Sequence, residues 1–257
     1  MATKKAVKKA APKKAVKIAS EKFNTNKKIE KILSIDIGGT HIKTSVLNTD
    51  GKLLSEYKKL PTPLKATPNA VLKTIEELAK GLEFDVISAG FPGYVRNGII
   101  HTAPNLGTEY WKGFEIEKEL TKIFSKPARV VNDADMLGLG VMEGKGLEMV
   151  ATLGTGFGTA LFNEGKLLPH LELAHHPIIG AKDYDKVIGD KALKKLGKKK
   201  WNKNLEYILS IIKVVVNYDT LFLGGGNAEK INFKLDKNIK IVTNIEGIDG
   251  GAKLWKQ

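Results

Sequence analysis

The stretch ILSIDIGGTHIK, residues 32–43, decides the fold of this chain because it joins two apolar runs through a glycine turn. The run 32–37 predicts a buried strand, and Gly38-Gly39 predicts the turn that follows it. Residues 42–47 predict a second strand. The stretch therefore predicts a β-hairpin with an acidic residue, Asp36, near the end of its first strand.

The turn of this hairpin has the features of an anion-binding loop. Its glycines let backbone N–H groups approach an anion closely, Thr40 adds a hydroxyl donor, and Lys43 brings a positive charge nearby. The Walker spacing GxxxxGK[ST] is absent, and a strand rather than a helix follows the turn. The alternative is a plain hairpin turn, which would use the same glycines.

The first half of the chain predicts one α/β lobe. Thr67-Pro68 begins a helix whose apolar residues fall on one face. The other elements expected after the hairpin are strands at 53–60, 86–91 and 129–131 and a helix at 114–124. Three strands, a helix, a strand, a helix and a strand are typical of an α/β lobe.

The second half begins in the same way. The expected strands are 149–153, 157–162, 166–168 and 220–223, and a helix is expected near 204–216. Each half therefore opens with a hairpin whose glycines face a cleft. We expect a duplicated α/β fold, with lobes at 31–135 and 136–257 after a tail at 1–30.

Composition narrows the class of protein. The 257 residues include no cysteine, which excludes disulfides, thiolate zinc sites and cysteine nucleophiles. No apolar run reaches the roughly 18–20 residues that cross a bilayer, and no secretory signal follows the basic N-terminus. We therefore expect a cytoplasmic protein that does not insert into membranes.

The positive charge is concentrated at the N-terminus. The net charge is +14, and residues 1–30 contribute +8 of it from ten lysines and two glutamates. Such a Lys/Ala-rich segment buries too little apolar surface to fold, so a disordered tail is expected. The alternative is an arm that contacts a polyanion such as nucleic acid or polyphosphate.

Two further glycine clusters follow predicted strands in the second half. Gly154, Thr155 and Gly156 form a turn comparable with the first hairpin, so the two turns together could enclose a phosphate chain. The run Gly224, Gly225, Gly226 is costly in backbone entropy. It therefore indicates close approach by a ligand or by another backbone.

The segment 130–135 delivers an amide and two carboxylates to the carboxyl end of a strand, where α/β clefts bind ligands. Asp133 is the candidate general base, and Asn132 could hold a substrate hydroxyl. The alternative is a helix N-cap before Met136, a role that suits Asp135 better than Asp133.

The segment ELAHH contains Glu172, His175 and His176. Glu and His are metal ligands, but no third ligand cluster is evident, and a metal site needs three or more convergent ligands. The same pair can hydrogen-bond a polyhydroxylated substrate. We therefore expect substrate binding here rather than zinc.

Seven motifs in this order resemble the ROK sugar-kinase family, and within it the bacterial polyphosphate glucokinases. The likeness runs from about residue 32 to residue 254, and the motifs are DIGGTHIK, FPG (91–93), APN (103–105), VVNDAD, TLGTGFG, ELAHH and LFLGGGN. The resemblance implies a duplicated actin/hexokinase-type (ribonuclease H-like) fold. It also implies phosphoryl transfer to the 6-hydroxyl of glucose.

The resemblance also implies residue roles. Asp133 would be the catalytic base, and Asp36 would orient Mg²⁺-bound phosphates. The sugar would be held by Gly93, Asn105, Asn132, Glu172 and His175. The phosphate or nucleotide side would comprise Gly38, Gly39, Thr40, Lys43, Gly154, Thr155, Gly156, Gly224, Gly225 and Gly226.

The chain departs from the family pattern in two places. Typical ROK kinases have a cysteine-rich zinc motif after E-x-G-H, whereas polyphosphate glucokinases lack it, as this chain does. The family glycine before the histidine is Ala174 here, which would be strained if the turn required a positive φ.

The phosphoryl donor is expected to be polyphosphate, ATP or both. The lysine-dense segment 191–203 suits a long polyanion, and the alternative is a solvated helix face. The alternatives for function are a non-catalytic sugar sensor and a kinase for another hexose such as N-acetylmannosamine. The resemblance further suggests a homodimer.

Overall fold

The computed structural model describes residues 28–242 and 246–257, so most of the predicted tail lies outside the described residues. The strands in chain order are β1 Ile32–Ile37, β2 His41–Leu47, β3 Lys58–Pro61, β4 Val86–Phe91, β5 Val95–Arg96, β6 Ile99–Ile100, β7 Ala128–Asn132, β8 Leu147–Leu153, β9 Phe157–Asn163, β10 Lys166–Leu167, β11 Pro177–Ile179, β12 Lys182–Asp183, β13 Thr220–Gly224 and β14 Ile239–Ile241. The α-helices are α1 Pro68–Ala79, α2 Thr108–Trp111, α3 Ile116–Phe124, α4 Asp133–Val141, α5 Tyr184–Ile188, α6 Asp190–Val216 and α7 Glu246–Lys253.

Two five-stranded sheets share one topology. The first has the order β3-β2-β1-β4-β7 and the second has the order β10-β9-β8-β13-β14. In each sheet three consecutive strands pair antiparallel, β1-β2-β3 in the first and β8-β9-β10 in the second. The other two strands, β4 and β7 or β13 and β14, run parallel to β1 or β8. The duplicated fold expected from the two hairpins is therefore confirmed.

The parallel strands bring their carboxyl ends to one edge of each sheet. β4 is buried along its whole length, β1 is buried except at one half-buried position, and β8 is buried except at two. Such continuous apolar runs are typical of parallel strands covered on both faces. The chain leaves β7 and enters α4 directly at this edge, which places the start of α4 beside the two hairpin turns.

The helix α4 lies between the second sheet and α7, and glycines allow both contacts. A Cβ atom at Gly138 would lie 2.3 Å from the Phe162 ring in β9. A Cβ atom at Gly250 in α7 would lie 1.8 Å from the Met136 carbonyl oxygen. Any larger residue at either position would force the packed elements apart.

The C-terminal helix packs on the first sheet, although it follows the second in sequence. Ser34 and Ser88, which are register partners on β1 and β4, donate hydrogen bonds to the carbonyls of Ile248 and Gly251 at 2.8 and 2.7 Å. The Trp255 indole donates to the Ser88 hydroxyl at 2.9 Å. The end of the chain therefore holds the two sheets in one structure.

Several predicted boundaries differ from the structure. The last predicted helix begins at Asp190 rather than near residue 204, and Gly197 interrupts it with a φ of 75°. The charged first half of this helix has no clean apolar period, so the predicted boundary is too late, although a solvated helix face is the alternative for 191–203. Strand β14 and helix α7 were not predicted, because the former has only three residues and the latter contains three glycines.

The lobe boundary at 135/136 falls in the first turn of α4 and stays a prediction. A helix long and apolar enough to cross a membrane does not occur among residues 28–242 and 246–257.

The Ser88 hydroxyl gives a test of the link between the last helix and the first sheet. We expect Ser88→Ala to lower the free energy of unfolding by about 1–3 kcal/mol, because it leaves the Gly251 carbonyl and the Trp255 indole without their partner. The measurement is urea unfolding followed by circular dichroism.

The matched control is Ser210→Ala, which removes an exposed hydroxyl from α6. This change should leave stability nearly unaltered. Equal losses in the two variants would contradict the proposed contribution of Ser88.

Candidate functional site

A cleft of about 360 Å³ collects most of the predicted site residues. It is lined by both glycine turns, by the start of α4 and by the segment before α5. The predicted residues that line it are Gly39, Thr40, Gly93, Asn105, Asn132, Asp133, Gly154, Thr155, Gly156, Glu172, His175 and Gly225. The cleft thus joins the two halves of the duplicated fold at one site.

Five predicted residues do not line this cleft: Asp36, Gly38, Lys43, Gly224 and Gly226. Asp36 and Lys43 are register partners on β1 and β2, and the Lys43 ammonium donates to the Asp36 carboxylate at 2.9 Å. Gly38 shapes the turn, because its N–H donates to the His41 carbonyl at 3.0 Å. Asp36, Gly38 and Lys43 therefore belong to the first hairpin next to the cleft, whereas Gly224 ends β13 and Gly226 follows Gly225.

The turn from β7 into α4 positions Asp133. Asn132 is the N-cap of α4, and its side-chain oxygen accepts a hydrogen bond from the Ala134 N–H at 2.7 Å. The same N–H lies 2.9 Å from the Asp133 carboxylate. The alternative interpretation, in which Asp135 caps a helix beginning near Met136, does not describe the structure, because α4 begins at Asp133 and is capped by Asn132.

The carboxyl group of Asp133 is half-buried at the floor of the cleft. Burial raises its pKa from 3.8 to about 7, and the negative charges of Asp36, Asp135 and Glu172 add to this shift. The hydrogen bond from Ala134 opposes the shift without cancelling it. A carboxyl group with this pKa can accept or release a proton near neutral pH.

Asn132 also links the start of α4 to the loop that carries Asn105. Its amide nitrogen donates to the Gly93 carbonyl at 3.0 Å. A Cβ atom at Gly93 would lie 2.1 Å from the Thr102 carbonyl oxygen, so only glycine allows the loop 102–105 to pack here. Asn105 is then exposed to the cleft, next to Gly39 of the first turn.

Two aspartates hydrogen-bond to the backbone of the second glycine turn, one through its N–H group and one through its carboxylate. The Gly154 carbonyl accepts from the Asp190 N–H at 2.9 Å, at the start of α6. The Phe157 N–H donates to the Asp185 carboxylate at 2.7 Å. A Cβ atom at Gly156 would lie 2.7 Å from an Asp185 carboxylate oxygen, so a larger residue there would displace the carboxylate that holds Phe157.

The triple glycine was expected to admit either a ligand or another backbone. Gly225 has a φ of 88°, and a Cβ atom there would lie 2.3 Å from the Leu153 carbonyl oxygen. Close approach to the end of β8 therefore explains this glycine. Gly225 also lines the cleft, so a ligand contact there stays a prediction.

A buried chain of charged groups lies beside Asp133. The two ring nitrogens of His170 lie 3.1 Å from the Asp135 carboxylate and 2.9 Å from the Glu172 carboxylate. Burial alone would lower the pKa of His170, but the two carboxylates outweigh it and raise the pKa to about 9. His170 is therefore positively charged at neutral pH and offsets part of the negative charge of the two acids.

Sequence reasoning missed His170 and Asp185, both of which line the cleft. The available signal for His170 was its H-x-E spacing with Glu172. Its partner Asp135 lies 35 positions away in the chain, and such a distance cannot be read from a pattern. Ala174 lies in a 3-10 helix at Leu173–His175 and does not have a positive φ, so the expected strain is absent.

The side chains of the described ranges 28–242 and 246–257 include no group of three or more His, Asp or Glu residues arranged to hold a metal ion.

Comparison with known proteins gives consistent matches. The ROK family matches residues 32–171 of the chain. Polyphosphate glucokinase from Mycobacterium leprae is 32% identical over 222 residues, which are 82% of this chain and 66% of that protein. Polyphosphate glucokinase from Mycobacterium tuberculosis H37Rv is 31% identical over 220 residues, which are 82% of this chain and 81% of that protein.

Solved structures match over nearly the same range. The inorganic polyphosphate/ATP-glucomannokinase of Arthrobacter sp. strain KM matches with a TM-score of 0.77 and 31% identity, over 87% of this chain and 97% of that chain. A ROK family glucokinase from Streptomyces griseus, in complex with glucose and AMPPNP, matches with a TM-score of 0.72 and 17% identity, over 87% of this chain and 98% of that chain. The likenesses confirm the duplicated actin/hexokinase-type fold.

The raised pKa of Asp133 can be measured directly. We expect its carboxyl carbon to titrate near pH 7 in ¹³C NMR spectra of the full chain. Asp36→Asn should lower this pKa, because the variant removes a negative charge that disfavours ionisation of Asp133.

The control is Asp236→Asn, which changes an exposed residue paired with Lys213. This variant should leave the Asp133 titration unchanged. A wild-type pKa near the ordinary aspartate value would disprove the effect of burial.

Proposed function

Because the chain belongs to the ROK family and is a sugar kinase of that family, we propose that it is a glucokinase that phosphorylates the 6-hydroxyl of glucose. The observation that carries the proposal is Asp133, a carboxyl group with a pKa of about 7 that lines the cleft between the two glycine turns. The names of the mycobacterial relatives support glucose as the acceptor.

Asp133 is the general base in this proposal. Its ionised form accepts the proton of the 6-hydroxyl as the hydroxyl oxygen attacks the terminal phosphorus of the donor. The new oxygen–phosphorus bond forms as the bond from phosphorus to the donor's bridging oxygen breaks. The donor leaves as ADP or as a polyphosphate one unit shorter.

The sugar side of the cleft contains Gly93, Asn105, Asn132, Glu172 and His175 in this proposal. Asn105 and His175 are exposed to the cleft and Glu172 is half-buried, so their polar atoms are accessible to sugar hydroxyls. Asn132 is buried and already bonded at both ends of its amide. Its main contribution is therefore to hold Asp133 and the Gly93 backbone in position.

The donor side comprises the two glycine turns, 38–40 and 154–156. The N–H groups of Gly38 and Gly154 close these turns, and the turns' other backbone N–H groups suit phosphate oxygens. Asp36 fits a Mg²⁺ ion held mainly by donor phosphates, because Mg²⁺ uses few protein carboxylates beside phosphate oxygens. The charge of Asp36 reaches Asp133, which is consistent with a place for a cation near the transferred group. When bound, Mg²⁺ would neutralise charge on that phosphoryl group.

The proposed donor is polyphosphate, with ATP as a second donor. The first part of α6 begins at the second glycine turn, where the Asp190 N–H donates to the Gly154 carbonyl. Its lysines are exposed, and they are Lys191, Lys194, Lys195, Lys198, Lys199 and Lys200. A row of cations beside a phosphate-binding turn suits a long polyanion better than a single nucleotide.

The remaining expectations stay predictions. A non-catalytic sugar sensor is not favoured, because Asp133 and both glycine turns line the same cleft. A homodimer, a cytoplasmic location and a polyanion contact by residues 1–30 are compatible with this proposal. They add nothing to the argument for it.

The role of Asp133 is tested by Asp133→Asn. We expect turnover to fall by about 10²–10⁴-fold or more, since the variant cannot accept the hydroxyl proton, whereas glucose should still bind. The measurements are a coupled assay for glucose 6-phosphate and calorimetric titration with glucose. Near-normal turnover would disprove the assignment.

The pH dependence of the wild type tests the same role independently. Because the base must be ionised and its pKa is about 7, kcat/KM should rise as the pH increases through about 7 and level off above it. Asp236→Asn should show the same profile as the wild type. A profile that is flat from pH 5 to pH 8 would contradict this assignment.

The donor site is tested by replacing Lys194, Lys195 and Lys198 together with glutamine. We expect the KM for polyphosphate to rise strongly and the KM for ATP to change little, because a long polyanion contacts more cations than a nucleotide does. Polyphosphate use should also fall more steeply with added salt than ATP use does.

The matched control replaces three exposed lysines of the first lobe, Lys73, Lys80 and Lys112, with glutamine. It lowers the net charge by the same amount and should leave both KM values unchanged. Equal effects of the two triple variants would show that only overall charge matters.

A further inference from the structure

The His170 side chain lies where three parts of the fold meet. Its imidazole is only 5% exposed and contacts Asp135 on α4 and Glu172 on the segment after β10. The ring of Tyr94, which directly precedes β5, stacks on it with centroids 5.8 Å apart. His170 therefore contacts the helix that carries Asp133, the residue that follows Gly93, and the carboxylate proposed to bind the sugar.

When both acids are ionised, the two hydrogen bonds of His170 require the charged form of the ring. A neutral imidazole has one N–H donor and one acceptor, whereas the imidazolium has two donors. Asp135 and Glu172 each present a carboxylate oxygen to one ring nitrogen, at 3.1 and 2.9 Å. Only the imidazolium can donate to both ionised acids at once.

The contact with His170 leaves one oxygen of Glu172 for a ligand. Oε1 is paired with the His170 ring, and Oε2 lies 3.8 Å from His175 Nε2, which is too far for a hydrogen bond. Glu172 lines the cleft together with Asp133. Its orientation therefore depends on His170, whose ring nitrogen makes the 2.9 Å contact with Oε1.

We infer that His170 is a positioning residue, which orients Glu172 for the sugar hydroxyls and links it to the helix that carries Asp133. The inference rests on the proposed function only in taking Glu172 as a sugar ligand. His170 itself need not touch the substrate. Its loss should weaken sugar binding more than it slows the transfer step.

Three variants of the full chain separate this role from a purely structural one. In His170→Ala both carboxylates lose their donor, so the KM for glucose should rise by about tenfold or more, with a smaller change in kcat. His170→Gln can place an amide N–H near the position of Nε2, so it should restore much of the affinity. His101→Gln, which changes an exposed histidine that also contacts the Tyr94 ring, should behave as the wild type.

Thermal unfolding of each variant checks that the chain remains folded. An unchanged KM in His170→Ala would overturn the inference, and so would equal KM values in the alanine and glutamine variants. A loss of kcat without a change in KM would also overturn it, since the residue would then act on Asp133 rather than on Glu172.

The wild type offers a pH readout that a structural role would not produce. The groups that face His170 are Asp135 from α4, Glu172 from its own segment and the Tyr94 ring. When His170 loses its proton, one carboxylate loses its donor. The KM for glucose should therefore rise above about pH 9 in the wild type and not in His170→Gln.

Histidine NMR tests the same contact without any substrate. His170 should titrate near pH 9, and Glu172→Gln should lower its pKa by removing one of the two charges that raise it. A His170 pKa near the ordinary value of about 6.5 would overturn the inference whatever the enzyme phosphorylates. If the wild type neither binds nor phosphorylates glucose, the proposed function fails. The titration still shows, without any substrate, whether His170 is paired with Asp135 and Glu172.

Discussion

The capped start of α4 is the constraint on which the site depends. The backbone leaves β7 at Asn132, and the side chain of this residue bonds both the Ala134 N–H and the Gly93 carbonyl. Because one amide satisfies the helix end and the neighbouring loop, Asp133 has little freedom to move from the cleft floor. The position of the proposed base is therefore set by a buried hydrogen-bond network rather than by a surface loop.

Glycines bring the surrounding backbones close enough to complete that site. Gly93 admits the loop that carries Asn105, Gly225 admits the turn after β13 to the end of β8, and Gly250 admits α7 to α4. The last contact has a wider effect, because α7 is also bonded to the first sheet through Ser34 and Ser88. The two sheets are thus connected at the same helix that begins with Asp133.

Two groups of paired charges lie near Asp133. On one side the Lys43 ammonium pairs with Asp36, and on the other His170 pairs with Asp135 and Glu172. Asp133 lies near Asp36, Asp135 and Glu172, and its burial together with these like charges keeps its pKa high. The proposed base therefore has a pKa of about 7, which suits proton transfer near neutral pH.

The sequence by itself determined the duplicated hairpin topology, the glycine turns and the candidate base, because each is a local pattern of apolar period, glycine and strand-end acid. The kinked α6, the short β14 and the glycine-containing α7 escaped prediction, since their stability comes from packing rather than from local propensity. Only the tertiary structure decided that Asn132 rather than Asp135 caps α4, that Gly225 faces a backbone, and that His170 bridges two acids. The physical reason is that burial and charge pairing join residues far apart in the chain, and local sequence patterns do not show which distant residues will be in contact.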